Sequence, residues 1–405
     1  MLRKRLASLL SLALCASVFF SGTAYAAEPE ENDQVQNAYE LATQALSDFN
    51  RAEYLYEDID LSEYVADPDL LTYLENKADA LQVKSIQPTF DKVNFKDGFT
   101  LLSHTVSDNL VSMNILSQCS YNYADLLDVD SGSSYGVTIT IDTLTNRITK
   151  WETNDEYDEE YQSLMNTSTY SAADPSDAQE TIYNNYQEYY SSLFNPENAI
   201  TEEAEILSDP GANTRAVTTL NKSAIVSWAN SNHDKKPPRS GDGSTPYYDF
   251  SKVPGNYDCT NFVSHALLAG GATKNTSSKD DKGWYYSSMS NRSTSWSGVP
   301  NLYNFLTRSS TTKGPKGSSS AYSTFSSSVT SRPYEAGDVI QFRDLYNTMW
   351  RHSGIISGYY SPDGTHLAAM VTCRTSELAS ECNKKAEEMS YGDKRVIRLY
   401  ANYTS

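Results

Sequence analysis

Apolar residues recur at three- and four-residue intervals from Val35 through Ala38, Tyr39, Ala42, Ala45, Leu46 and Phe49. That spacing predicts an amphipathic helix. A second helical pattern follows Pro68, through Leu70, Leu71, Leu74, Ala78 and Leu81. The period then drops to two. Val111, Met113 and Ile115 alternate with polar residues, as do Val137, Ile139 and Ile141, and both runs predict strands. The segment TLTNR, Thr143 to Arg147, predicts a hairpin turn leading to Ile148 and Trp151. Asp177 to Leu193 returns to helical spacing. Helices followed by antiparallel strands define an α+β region over 27–195. His104 and Cys119 lie singly in it, and packed or surface roles suit them better than ligand roles.

Residues 196–217, which include SDPGANTRA, read as a linker. A second domain over 218–405 opens with a helix from Asn221 through Ala224, Ile225, Trp228 and Ala229. The Pro/Gly-rich KKPPRSGDGSTP follows, and then NYDCTNFVSHALLAGG. Phe262, Val263, Ala266 and Leu267 give that stretch one buried helix face, and Gly270 and Gly271 stop it. Ala336–Phe342 and Arg351–Tyr360 predict strands, with Leu367–Thr372 as a third. The Ser/Thr-rich run 309–331 reads as a surface excursion, a lid or an ordinary loop.

Charge divides the chain in the same way. Residues 27–217 carry 37 acidic against 8 basic side chains, net −29, whereas 218–405 carry 15 against 21, net +6. The front repels nucleic acid and anionic polymers. The back tolerates an anionic surface, or the opposite signs help the halves dock. Arg3, Lys4 and Arg5, the apolar run Leu6–Phe20 and Ala24-Tyr25-Ala26 together predict a signal peptide over 1–26. An apolar run of about 15 residues is short of the ~20 a membrane span needs. The expected product is secreted or cell-wall associated, without stable membrane insertion and without nucleic-acid partners.

Four cysteines remain after signal removal: Cys119, Cys259, Cys373 and Cys382. Export permits disulfides, and Cys373 and Cys382 are close enough in sequence for a small loop. The chain has no CxxC and no spaced His/Cys cluster, so no metal site and no cofactor is expected. Cys259 is either half of a disulfide or a nucleophile. At the first turn of a helix, unpaired N–H groups and the positive helix end stabilise a thiolate and can hold an oxyanion. A nucleophile also needs a base. His265 falls on the far side of the same helix, and His104 and His233 lack strand context. His352, at the entry of the Arg351–Tyr360 strand, is the candidate.

The motifs DCTNFVS and LLAGG, two tryptophans (Trp284 and Trp296), GDVIQF and HSGIIS, in that order, resemble the putative amidase domain family of secreted bacterial proteins. The resemblance covers about residues 218–405. It implies a papain-like catalytic domain, with an N-terminal helix packed on an antiparallel sheet, preceded here by a separate acidic α+β domain. It also implies relatedness to cell-wall amidases of the CHAP and NlpC type. On this resemblance Cys259 is the nucleophile and His352 the general base, and the substrate is a cell-wall or extracellular peptide. The position of a third, ring-orienting residue falls near Cys373, a poor partner for imidazole. Thr375, Ser376 and Glu377 are nearby substitutes, and His366 reads as a turn residue. Asp258 would cap the helix or shape the oxyanion site, and Asn261 would support the motif. Trp284 and Trp296 fit the core or a groove rim. The alternatives are a catalytically inactive amidase-like binding or adhesion protein, and an acidic half that inhibits or chaperones the cationic one.

Overall fold

The computed structural model describes residues 29–85, 90–153, 155–167, 175–192, 216–235, 245–253, 258–329, 332–344, 349–376, 379–389 and 391–404. The expected signal peptide, most of the linker and Glu377 lie outside the described residues.

Two helices open the chain, α1 (Pro29–Leu55) and α2 (Pro68–Ser85). A meander of long strands follows: β1 (Lys92–Ser107), β2 (Leu110–Tyr123), β3 (Leu126–Asp142) and β4 (Arg147–Thr153). Helices α3 (Glu156–Thr167) and α4 (Pro175–Ser192) complete the front half. Ala38, Ala42, Ala45 and Leu46 of α1 pack with Leu74 and Ala78 of α2 on Val111, Met113, Ile115, Ile139 and Ile141, all buried. The period-3.6 and period-2 stripes thus meet at one apolar surface.

The back half runs β5 (Val217–Thr218), α5 (Lys222–Asn232), α6 (Cys259–Ala269), the small hairpin β6 (Tyr286–Ser288) and β7 (Asn291–Arg292), and α7 (Val299–Thr307). Then come β8 (Gly314–Ala321), β9 (Phe325–Ser326), β10 (Val339–Arg343), β11 (Trp350–Tyr360), β12 (His366–Ser376), β13 (Ala379–Lys385) and β14 (Lys394–Tyr403). The Ser/Thr-rich run, expected as an excursion, lid or loop, instead supplies β8 and β9. β8 pairs antiparallel with β14 from Gly314 to Ala321. Its polar residues fit because only its first four positions are buried and the rest alternate toward solvent.

One sheet runs through both halves, in the order β1-β2-β3-β13-β12-β11-β10-β14-β5. The seam is β3 against β13, with Ser134 opposite Ser380 and Gly132 opposite Cys382. Opposite charges also meet there. Lys92 Nζ lies 2.6 Å from Glu388, Lys385 Nζ lies 2.8 Å from Asp125, and the Tyr123 hydroxyl donates to Glu388.

Neighbouring side chains on β3 show which face each half uses. Ser133 meets the Tyr54 hydroxyl of α1, and the Tyr135 hydroxyl donates to Asn50 of α1 at 2.6 Å. Ser134, between them, meets Ser380, whose hydroxyl lies 3.0 Å from His233 Nδ1 just after α5. Adjacent residues of a strand point to opposite faces. The front helices therefore cover one face of the sheet and α5 the other. Among the described residues no helix is long and apolar enough to cross a membrane.

Candidate active site

Cys259 is the first residue of α6 and is 1% exposed. The helix forms here because Phe262, Val263, Ala266 and Leu267 bury against Val339 and Ile355 of the sheet, and Gly271 continues past its end with φ +87°. Trp284 and Trp296 lie beneath it, both 0% exposed. Trp296 Nε1 donates to Asn261 Oδ1 at 2.6 Å, and Trp284 Nε1 donates to Ser264 Oγ at 3.1 Å. These rings are core, and they hold the helix in rotation.

Asp258 stands at the N-cap position, but its side chain makes no capping bond. The carboxylate turns inward and collects other donors. It accepts from the Tyr247 hydroxyl, from Phe250 N–H at 3.0 Å, from Asn261 Nδ2 at 2.9 Å and from Arg374 Nε at 3.0 Å. Arg374 also reaches Asp249 at 3.2 Å and donates to the His233 carbonyl at 2.7 Å. Burial and the nearby Asp249 raise the Asp258 carboxyl to about 6, and its four donors leave it ionised at neutral pH. The main chain is tied as well, since Asp258 N–H donates to the Thr375 carbonyl of β12 at 2.9 Å. The mouth of α6 is thereby fixed to the sheet.

The Cys259 Sγ–H donates to the Arg351 carbonyl of β11 at 3.8 Å, and Thr260 Oγ1 is also 3.8 Å from the sulfur. The helix therefore brings the sulfur to β11 at the residue before His352. Burial pushes the thiol up to about 11, against the hydroxyl and backbone donors around it. His352, 3% exposed, is lowered by burial to about 4 and is neutral. Ser353 turns toward α6, where its hydroxyl lies 3.2 Å from that of Thr260. His352 turns the other way, stacked on Tyr391 with ring centroids 5.4 Å apart and planes at 8°, and beside Phe342 at 5.9 Å. Among the described residues no hydrogen bond joins the sulfur to the imidazole. The structure brings the two residues to one stretch of strand but leaves their side chains unbonded.

The remaining candidates separate. Cys373 is buried opposite Gly354, where a side chain at 354 would meet Cys373 Cβ at 3.2 Å. It belongs to the apolar cluster of Phe342, Ile356 and Val371. None of the four described cysteines is in a disulfide, so the Cys373–Cys382 loop that the sequence permits is not formed. Residues 373 and 382 are nearly opposite on paired strands, with Cys373 facing Glu381 across the ladder, and neighbours in a ladder register turn to opposite faces. Thr375 contributes its carbonyl rather than its side chain to Asp258. His366, read as a turn residue, instead opens β12 opposite Ser326 of β9, with Nδ1 2.5 Å from Asp363, and His265 packs among Tyr247, Trp228 and Trp296.

Sequence reading missed Arg374, Asp249 and Tyr391. Their partners are more than a hundred residues away or across a loop, and no local period marks them. Gln341 stood inside the quoted GDVIQF without a role. Its amide donates to Ser353 Oγ at 3.2 Å.

Fold and site together define an α+β domain with a cysteine at the mouth of a buried helix and a histidine on the adjoining strand. Residues 219–400 match the family model of the putative amidase domain. No curated protein and no solved structure matches the chain. This match points to hydrolysis of amide bonds.

Proposed function

We propose that the chain is a secreted cysteine-dependent amidase or peptidase acting on cell-wall or extracellular peptides. The observation that carries this reading is the seat of Cys259 on the first turn of α6, within the amidase segment and against β11 one residue from His352. The sulfur attacks the amide carbonyl, and the first-turn N–H groups hold the oxyanion. His352 takes the thiol proton and returns it to the leaving amine, and water then cleaves the thioester. A neutral imidazole suits the first transfer. The reading requires the His352 ring to leave Tyr391 and reach the sulfur when substrate binds, since apo catalytic bonds often form only then. Arg351 also lines a cleft of about 860 Å³ with Tyr73, Lys77, Trp151 and Tyr161 of the front half.

A second reading, a catalytically inactive amidase-like surface binder, draws support from the ring stacked on Tyr391 and the fully buried thiol. Release of amines from purified cell walls and from peptide mixtures, by the full chain and by Cys259→Ala, separates the two. The hydrolase reading expects release by the wild type and a loss of at least ~10³-fold in the variant. Equal release, or none from either, supports the binder.

A further inference from the structure

We propose that Arg395, Gln341, Ser353 and Thr260 form a one-way chain of hydrogen-bond donors that ends on the Cys259 sulfur and sets its reactivity. A guanidinium can only donate. Arg395 Nε and Nη2 both donate to Gln341 Oε1, at 3.0 and 2.7 Å, so the orientation of that amide is fixed. Its nitrogen spends one hydrogen on the Val299 carbonyl at 2.9 Å and the other on Ser353 Oγ at 3.2 Å. Ser353, already accepting, has its own hydrogen for Thr260 Oγ1 at 3.2 Å. Thr260 then has its hydrogen for the sulfur at 3.8 Å. Gln341, Ser353 and Thr260 are each 0% exposed. The source of the chain is clamped, because the Arg395 guanidinium lies 3.6 Å from the Tyr303 ring centroid and 4.0 Å from that of Trp350. A cation on β14 is thus relayed across β10 and β11 to α6.

The charges around the sulfur define what the chain must overcome. Asp258 stands beside it on α6, with Tyr247, Asp249 and Arg374 behind that carboxylate. From β11 the Arg351 main chain meets it, while the Arg351 side chain pairs with Asp344 and the His352 ring turns away onto Tyr391. The Arg351 carbonyl accepts the thiol hydrogen and opposes the anion once that hydrogen leaves. The Thr260 hydroxyl can serve either state, and it stabilises the thiolate. Each step in the chain depends on the one before it. Reversing any link would turn the last hydroxyl away from sulfur.

The role of the chain in turnover rests on Cys259 being the nucleophile, but its test reads the sulfur without substrate. Iodoacetamide labelling of Cys259, resolved from Cys119, Cys373 and Cys382 by peptide mass spectrometry, reports thiolate fraction between pH 7 and 9. Thr260→Val, which keeps shape and loses the donor, is expected to label about three- to tenfold more slowly. Thr260→Ser is expected within about twofold of wild type. Gln341→Glu reverses the chain, since its carboxylate would take the Ser353 hydrogen, and a slowing of at least about tenfold is expected. Equal labelling of the Val and Ser variants, or wild-type labelling of folded Gln341→Glu, overturns the chain and leaves the hydrolase reading standing. Normal labelling effects with no amide hydrolysis overturn the hydrolase reading and leave the chain.

Discussion

In each half of the molecule a buried cation lies between two aspartates, Lys77 in front and Arg374 behind, and the two clusters differ in what surrounds them. In the front half Lys77 lies 2.6 Å from Asp155 and 2.7 Å from Asp158, whose side chains are 30% and 17% exposed. In the back half Arg374 lies 3.2 Å from Asp249 and 3.0 Å from Asp258, and all three side chains are fully sealed. A half-open cluster can recover water when a partner is lost. A sealed one cannot, so its desolvation cost is met only while every bond is made. The sealed cluster sits behind Cys259 and the open one lines the cleft. The contrast marks the base of α6 as the place where geometry is held at the expense of apolar burial.

The sharpest way to break the comparison is to remove each cation. Arg374→Met leaves two sealed carboxylates and is expected to cost about 3–5 kcal/mol. Lys77→Met lets Asp155 and Asp158 rehydrate and is expected to cost about 1–3 kcal/mol. Urea unfolding of both variants checks the order. Equal losses would remove the distinction between the clusters.

A smaller effect follows from pH. Between about pH 4 and 6 the folded chain keeps a proton on Asp258 that the unfolded chain has lost, since its carboxyl is raised to about 6. Stability from this group therefore falls as pH rises through that window. His352, lowered to about 4, acts in the opposite sense. Up to about pH 6.5 the unfolded chain holds a proton that the folded chain lacks, so stability from this group rises with pH. The two trends oppose each other in the wild type. Asp258→Asn should gain stability from pH 4 to 6.5 relative to wild type, and His352→Gln should lose it, each by about 2–3 kcal/mol at most. Parallel pH curves for the two variants would contradict the assignment.

The sequence made the elements of the site legible, and the structure added what joins them. The α6 stripe, the strands around Val339 and Ile355, and the front helices all follow from local periods, because each buries one continuous face. Trp284 and Trp296 were readable as core, since large rings between motifs have few other uses. The run 309–331 was misjudged because Ser and Thr serve both loops and edge-like strands, and only pairing with β14 decides between them. The β3–β13 seam joins residues about 250 positions apart, and Arg374 meets Asp258 across 116. Such pairings leave no trace in a local pattern. The inward turn of Asp258 was hidden for the same reason. Capping and networking use the same carboxylate, and Arg374 decides which one occurs.

The central claim is that the sulfur of Cys259 takes the acyl group of an amide substrate. Acid quenching during turnover, followed by mass analysis of the Cys259 peptide, tests it directly. The account predicts a thioester adduct of the acyl mass on Cys259 in the wild type, and its loss when His352 is changed to Gln, because the base that takes the thiol proton is gone. Amide consumption with an unmodified Cys259 peptide, or with the adduct on another residue, would contradict it.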